Sequence, residues 1–205
     1  IREFYVDAET GFFLNQESYP LRGVSRHQDR QGKGWAISEE DQREDAMLIH
    51  EIGATAVRLA HYQHAQSFYD FCDELGMVVW AEIPFVNRVS TQESGNAKQQ
   101  LVELIRQNYN HPSIYIWGLH NEVYAPYNYT VSLTTELNDL AKTEDPYRLT
   151  ASVNGYSVVN QESNLNADVQ GINHYFGWYG GKIGDIEKWV TGMEQNFPDY
   201  RVVFS

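Results

Sequence analysis

A chain of 205 residues, 42% hydrophobic and 21% charged, has the make-up of an ordinary globular protein, with room for one large core or two small ones. A formal net charge of −13 argues against a nucleic-acid or anionic-membrane partner, which would need clustered Lys and Arg, and one cysteine, Cys72, excludes an internal disulfide framework. No apolar run approaches the ~20 residues of a membrane span and no signal peptide is visible, so the expectation is a soluble protein, whether cytoplasmic, periplasmic or secreted. The chain starts at Ile1 without a methionine, as a piece excised from a longer protein would. Aromatic residues reach 14%, which suits both sugar binding and aromatic cores.

Residues 1–20 carry turn signals on both sides of Phe12-Phe13-Leu14 and predict a small β-hairpin that leads into a single domain. Leu21-Arg22-Gly23-Val24 is a first strand, followed by the polar loop from Ser25 to Asp29. Ser38 with Glu39, Glu40 and Asp41 predicts a capped helix start, and Ala46, Ile49 and Ile52 continue a core face to Gly53. Residues 56–59 form the next strand, and Gln66 to Leu75 a helix closed by Gly76, with Cys72 facing the core as a structural thiol. Residues 77–81 are a third strand ending at Glu82, and a helix follows over about 95–109. The fourth strand, 114–118, leads to Asn121-Glu122, where a carboxylate at the end of an apolar run either serves chemistry or simply opens a solvent loop. Then come a helix over 130–143, strands at 149–153 and 169–173, a helix over 185–197, and the start of a seventh strand at 201–204.

Strands buried on both faces and separated by amphipathic helices indicate a parallel sheet, either doubly wound or a (β/α)8 barrel. No Gly-rich phosphate loop follows the first strand, and polar or aromatic residues follow nearly every strand; both features favour the barrel, whose rim gathers catalytic groups from many strands. Seven strand candidates leave the eighth strand and its helix missing, so the expected fold is α/β, an incomplete TIM barrel across residues 1–205.

The rim residues exclude several chemistries. His61-Tyr62-Gln63-His64 lacks the spacing of a zinc helix, Cys72 would need an activating base and its core-facing helix position argues against a nucleophile, and no Gly-x-Ser-x-Gly occurs. A carboxylate in an aromatic-lined cleft remains, and an apolar setting would let Glu122 donate a proton as a glycosidase acid does.

Four stretches, Leu21 to Asp29, Ala56 to Tyr62, Phe71 to Gly76 and Trp117 to Glu122, together resemble the catalytic barrel of glycoside hydrolase family 2, which includes β-galactosidases, β-glucuronidases and β-mannosidases. The resemblance implies that Glu122 is the acid/base and that Asn121 contacts the sugar 2-hydroxyl. It implies that Tyr175 lies beside the nucleophile, that Tyr179 contacts sugar, and that Trp178 belongs to the same aromatic stretch. His27, Asp29 and His61 fall on the rim that meets substrate, Glu82 is an acidic position beside the cleft, and Arg58 supports the catalytic carboxylates from below. The family's nucleophile, a glutamate after the seventh strand, is expected immediately beyond Ser205. A chain lacking it is expected to be inactive alone.

The tracts around His27 and Trp80 look most like the β-galactosidase branch, with β-glucuronidase and β-mannosidase as alternatives. A non-catalytic carbohydrate-binding remnant is the reading of another class. The expected partner is a carbohydrate substrate. No cofactor is required, although a divalent cation, if one is used, is expected near Glu82.

Overall fold

The computed structural model describes residues 2–123, 128–155 and 165–205. Its main feature is a seven-stranded parallel sheet ordered β10-β9-β8-β7-β6-β5-β4, whose strands are β4 (Gly23–Arg26), β5 (Ala56–Leu59), β6 (Val78–Glu82), β7 (Ile114–Asn121), β8 (Leu149–Gly155), β9 (Val169–Asn173) and β10 (Val202–Phe204). Helices α1 (Glu39–Glu51), α2 (Gln66–Leu75), α3 (Ser94–Asn108), α4 (Asn128–Glu144) and α5 (Asp185–Asn196) occupy the crossovers. This is an incomplete (β/α)8 barrel, with β4 and β10 as its two edges.

The helix signals act as expected. Ser38 forms a capping box with Asp41 at the start of α1, and Gly76 closes α2 at φ 70°, a left-handed position that glycine adopts without a Cβ penalty. The Cys72 thiol is buried in the core, and burial raises it well above the usual thiol range, which makes it inert. One residue departs from the expected core face: Ile52 is the C-cap of α1 and is 71% exposed, because it lies beyond the last turn that packs on the sheet.

Strand periodicity determines what enters the barrel. In β5 and β6, Val57, Leu59, Val79 and Ala81 join the outer core with α2 and α3, while Ala56, Val78 and Trp80 belong to a second, inner cluster. The period of two therefore turns Arg58 and Glu82 inward as well. Trp80 fills this interior. A Cβ on Gly118 would lie 2.6 Å from its Nε1, and one on Gly171 would lie 2.8 Å from its Cη2, so both positions need a bare backbone.

The leading hairpin is a three-stranded antiparallel sheet, β1 (Phe4–Asp7), β2 (Gly11–Leu14) and β3 (Glu17–Ser18). Phe12 and Phe4 pack edge-on to Tyr115 near the start of β7, which plugs the N-terminal mouth of the barrel. The strands run up to three residues longer than the apolar pattern predicts. Both β7 and β8 continue into polar residues that pair inside the sheet. No helix among the described residues is long and apolar enough to cross a membrane.

Gly118→Ala should lower stability by about 1–3 kcal/mol, because its methyl would also meet Glu82 Cβ at 2.4 Å. The urea midpoint checks this; an unchanged midpoint would show that the interior has slack.

Candidate active site

Five elements deliver polar side chains to one end of the barrel. Arg58 comes from β5, Glu82 ends β6, Asn121 ends β7 with Glu122 next, Asn173 ends β9, and Ser205 follows β10. All lie at the C-terminal ends of parallel strands, where barrels carry their chemistry.

At the centre is an ion pair. Glu82 is 1% exposed and Arg58 6% exposed, and the guanidinium grips the carboxylate with Nε to Oε2 at 2.8 Å and Nη2 to Oε1 at 3.0 Å. Burial pushes the Glu82 carboxyl up, but the Arg58 charge and the hydrogen bonds from His61 and Arg58 outweigh it, so its pKa falls below the ordinary carboxylate value. His61 Nδ1 reaches the same Oε1.

Arg58 also sets the orientation of two amides. Its Nη2 donates to Asn121 Oδ1 at 2.8 Å and its Nη1 to Asn173 Oδ1 at 3.2 Å. A guanidinium only donates, so both amides must turn their oxygens toward it. Asn173 Nδ2 then points the other way and donates to Asn121 Oδ1 at 3.0 Å and to Glu122 Oε1 at 2.7 Å. Ser205 Oγ donates to Asn173 Oδ1 at 2.9 Å.

The backbone reinforces this placement. Asn121 N–H donates to Phe85 O at 2.9 Å and its carbonyl accepts from Asn87 N–H at 3.1 Å. Glu122 N–H donates to Val153 O at 2.9 Å, with φ at 51°, a left-handed conformation that is costly for a side-chain-bearing residue. Half-buried Glu122 therefore has a polar environment on the Asn173 side, where the sequence reading anticipated an apolar one.

The remaining expected residues lie on the rim. His27 meets His61 edge-on at 5.2 Å, and Asp29 next to it is exposed. Partial burial holds the His27 imidazole below its usual value, helped by His61 and opposed by Asp29 and Glu82. Tyr175, Trp178 and Tyr179 occupy the turn after β9, with Tyr175 and Tyr179 edge-on at 5.1 Å and Trp178 80% exposed. Arg58 holds Glu82, Asn121 and Asn173, and it supports Glu122 through the second amide.

Asn173 and Ser205 were not among the sequence candidates. Asn173 ends a strand, just as Glu82 and Asn121 do, and that shared position was the available signal. Both oxygens of Glu82 are engaged by Arg58 and His61, a donor set already neutralised by a cation, so no chemistry is routed through a metal there. Among the described residues, Asp70, Asp73 and His111 have donor atoms close enough to share an ion. Asp73, however, is spent on the Ser113 N–H and on His111.

Replacing Glu82 by Gln should cost about 3–5 kcal/mol by leaving Arg58 buried without its counter-ion. A depressed carboxyl contributes stability above its unfolded pKa of about 4.3 and loses it as pH falls through the folded value, so the variant should also show a flatter acid limb. Urea unfolding between neutral and acid pH tests both effects; a parallel limb would contradict the pairing.

A family model described as Glycosyl hydrolases family 2, TIM barrel domain, matches residues 6–200. A curated β-glucuronidase of Bacteroides fragilis is 43% identical over the whole chain, which spans 30% of that protein. Among solved structures, a putative β-galactosidase from Bacteroides fragilis superposes with a TM-score of 0.96 at 54% identity, covering 100% of this chain and 30% of that one. An FMN-binding β-glucuronidase from Facaelibacterium prausnitzii gives a TM-score of 0.96 at 44% identity, covering 100% and 32%. With its fold, its rim of polar strand ends and these similarities in agreement, the chain belongs to glycoside hydrolase family 2, as part of that family's TIM-barrel domain.

Proposed function

We propose that the protein is a retaining β-glycoside hydrolase in which Glu122 is the acid/base. The observation that supports this most is the orientation of Glu122 by Asn173, which is itself oriented by the buried Arg58–Glu82 pair. A carboxyl group held in one direction at a strand end is what protonation of a leaving oxygen requires. Asn121 has its oxygen occupied by Arg58 and Asn173, which leaves its amide N–H groups as the donors we assign to a sugar hydroxyl. A non-catalytic binding remnant would have no use for a carboxylate aimed this way.

In the first step, Glu122 gives its proton to the glycosidic oxygen while a second carboxylate attacks the anomeric carbon; in the second, Glu122 takes a proton from the incoming water. Glu82 cannot be the attacking group, because it is buried and held at both oxygens. We assign that role to an acid following Ser205 in the longer protein, since Ser205 already touches Asn173. Tyr175 and Tyr179 are proposed as contacts to the nucleophile and the sugar, with His27, Asp29, His61 and Trp178 around them.

For the glycone, the tracts around His27 and Trp80 favour a β-galactoside, as does the name of the putative β-galactosidase of Bacteroides fragilis. The names of the other two relatives favour a β-glucuronide at least as strongly.

A panel of p-nitrophenyl glycosides with the full-length protein tests both levels. Turnover of the β-galactoside or β-glucuronide is expected, with Glu122→Gln losing about 10²–10⁴-fold in kcat/KM. Failure on every β-glycoside would reject the hydrolase. Asn173→Ala should cost about 10²-fold, chiefly in kcat, by releasing the acid from its position. An unchanged kcat would show that Glu122 is oriented by other contacts.

A further inference from the structure

Outside the cluster, a second buried guanidinium joins the loops that carry His27 and His61. Arg26, the last residue of β4, is 6% exposed and lies 3.9 Å from the ring of Phe68. Its Nη2 donates to Asp45 Oδ2 at 2.6 Å and to Gln42 Oε1 at 2.7 Å, both on α1, and its Nη1 meets His64 Nδ1 at 2.9 Å. Gln42 Nε2 extends the tie to Gln28 Oε1 at 3.0 Å, which also accepts the Ala65 N–H at 2.6 Å, while the Gln28 N–H donates to the Tyr62 hydroxyl at 2.9 Å. Two loops are thus zipped together on one cation.

These partners fix the state of His64. A guanidinium only donates, so His64 Nδ1 must accept, which makes the ring neutral with its proton on Nε2. Burial, at 3% exposure, and the Arg26 charge keep it so, with the imidazole pKa pushed down to about 3. The Nε2–H then donates to the Ala60 carbonyl at 3.3 Å, and the Ala60 N–H donates to Arg26 O at 3.0 Å. His64 therefore closes the turn over residues 60–64 from inside. An apolar ring could fill the same space; the imidazole adds an acceptor on one side and a donor on the other.

The residue after Ala60 is His61, whose Nδ1 reaches Glu82. Because the Glu82 carboxyl is held ionised, that nitrogen carries the proton, and Nε2 has no partner among the described residues. We propose that His64 is a positioning residue of the active site: it links the buried Arg26 to the turn that presents His61, and so keeps His61 on Glu82 with Nε2 available to a sugar hydroxyl. The proposal rests on the hydrolase reading above and adds to it a residue that acts on substrate binding from outside the polar cluster.

The test measures kcat and KM of the full-length enzyme on its preferred p-nitrophenyl β-glycoside. His64→Asn answers Arg26 but is too short to reach the Ala60 carbonyl; His64→Phe keeps a ring and loses both bonds; His64→Gln keeps an acceptor and a donor. In whichever of His64→Asn and His64→Phe folds, KM should rise about ten-fold with kcat changed less than about three-fold, and His64→Gln should recover most of the loss. Made in a His61→Ala background, the same substitutions should change KM less than about two-fold, because the residue they act through is gone. The full loss in that background, or an unchanged KM in the single variants, would overturn the proposal while leaving the hydrolase reading intact. Should the unaltered enzyme turn over no β-glycoside, the hydrolase reading fails and crystal structures of the His64 variants decide the positioning alone. His61 displaced from Glu82 would sustain it, and His61 in place would end it.

Discussion

The site depends on a guanidinium and a carboxylate buried together. Burying either charge at that depth without its partner would be costly, and even as a pair they stabilise the fold less than a well-packed apolar pair could. What the pair provides is direction. Because Arg58 only donates, the two amides beside it each have one allowed orientation, and the second amide passes that orientation to Glu122. Charge at Glu82 thus fixes geometry at Glu122 through Arg58 and Asn173. A hydrophobic replacement of the pair could pack well and still leave the carboxyl undirected.

This arrangement is possible because the barrel interior is layered. Trp80 fills the space below, with Gly118 and Gly171 bare against it, and the Arg58 guanidinium lies 4.9 Å from its ring. The indole thus floors the polar layer and keeps it at the strand ends, where substrate can reach it. The same period of two that buries Val79 and Ala81 against the helices sends Trp80 and Glu82 inward, so the apolar core and the polar site follow from one pleat.

Much of this was legible in the sequence, and the misses share a cause. Ser38 and Gly76 mark boundaries by local chemistry, which depends on no distant partner. Glu122, Asn121, Glu82 and His61 are polar groups at the ends of apolar runs, whereas Arg58 lies within its strand and is marked only by the resemblance to the family. Asn173 also ends an apolar run, yet nothing local marks it, because its value depends on Arg58, 115 positions away in sequence. Strand ends were underestimated for a related reason. An apolar pattern stops where the inner polar layer starts, whereas β7 and β8 run on through it.

The central claim is that Glu122, oriented through Asn173, faces the bond to be broken with Asn121 beside it. A crystal structure of the full-length protein with a lactam analogue of its preferred sugar tests this most directly. The account predicts the analogue's linkage atom within about 3 Å of the Glu122 carboxyl, a ring hydroxyl on Asn121 Nδ2, and the Asn173–Glu122 hydrogen bond intact. A sugar bound with its linkage atom away from Glu122, or with Asn173 turned from that carboxyl, would contradict it.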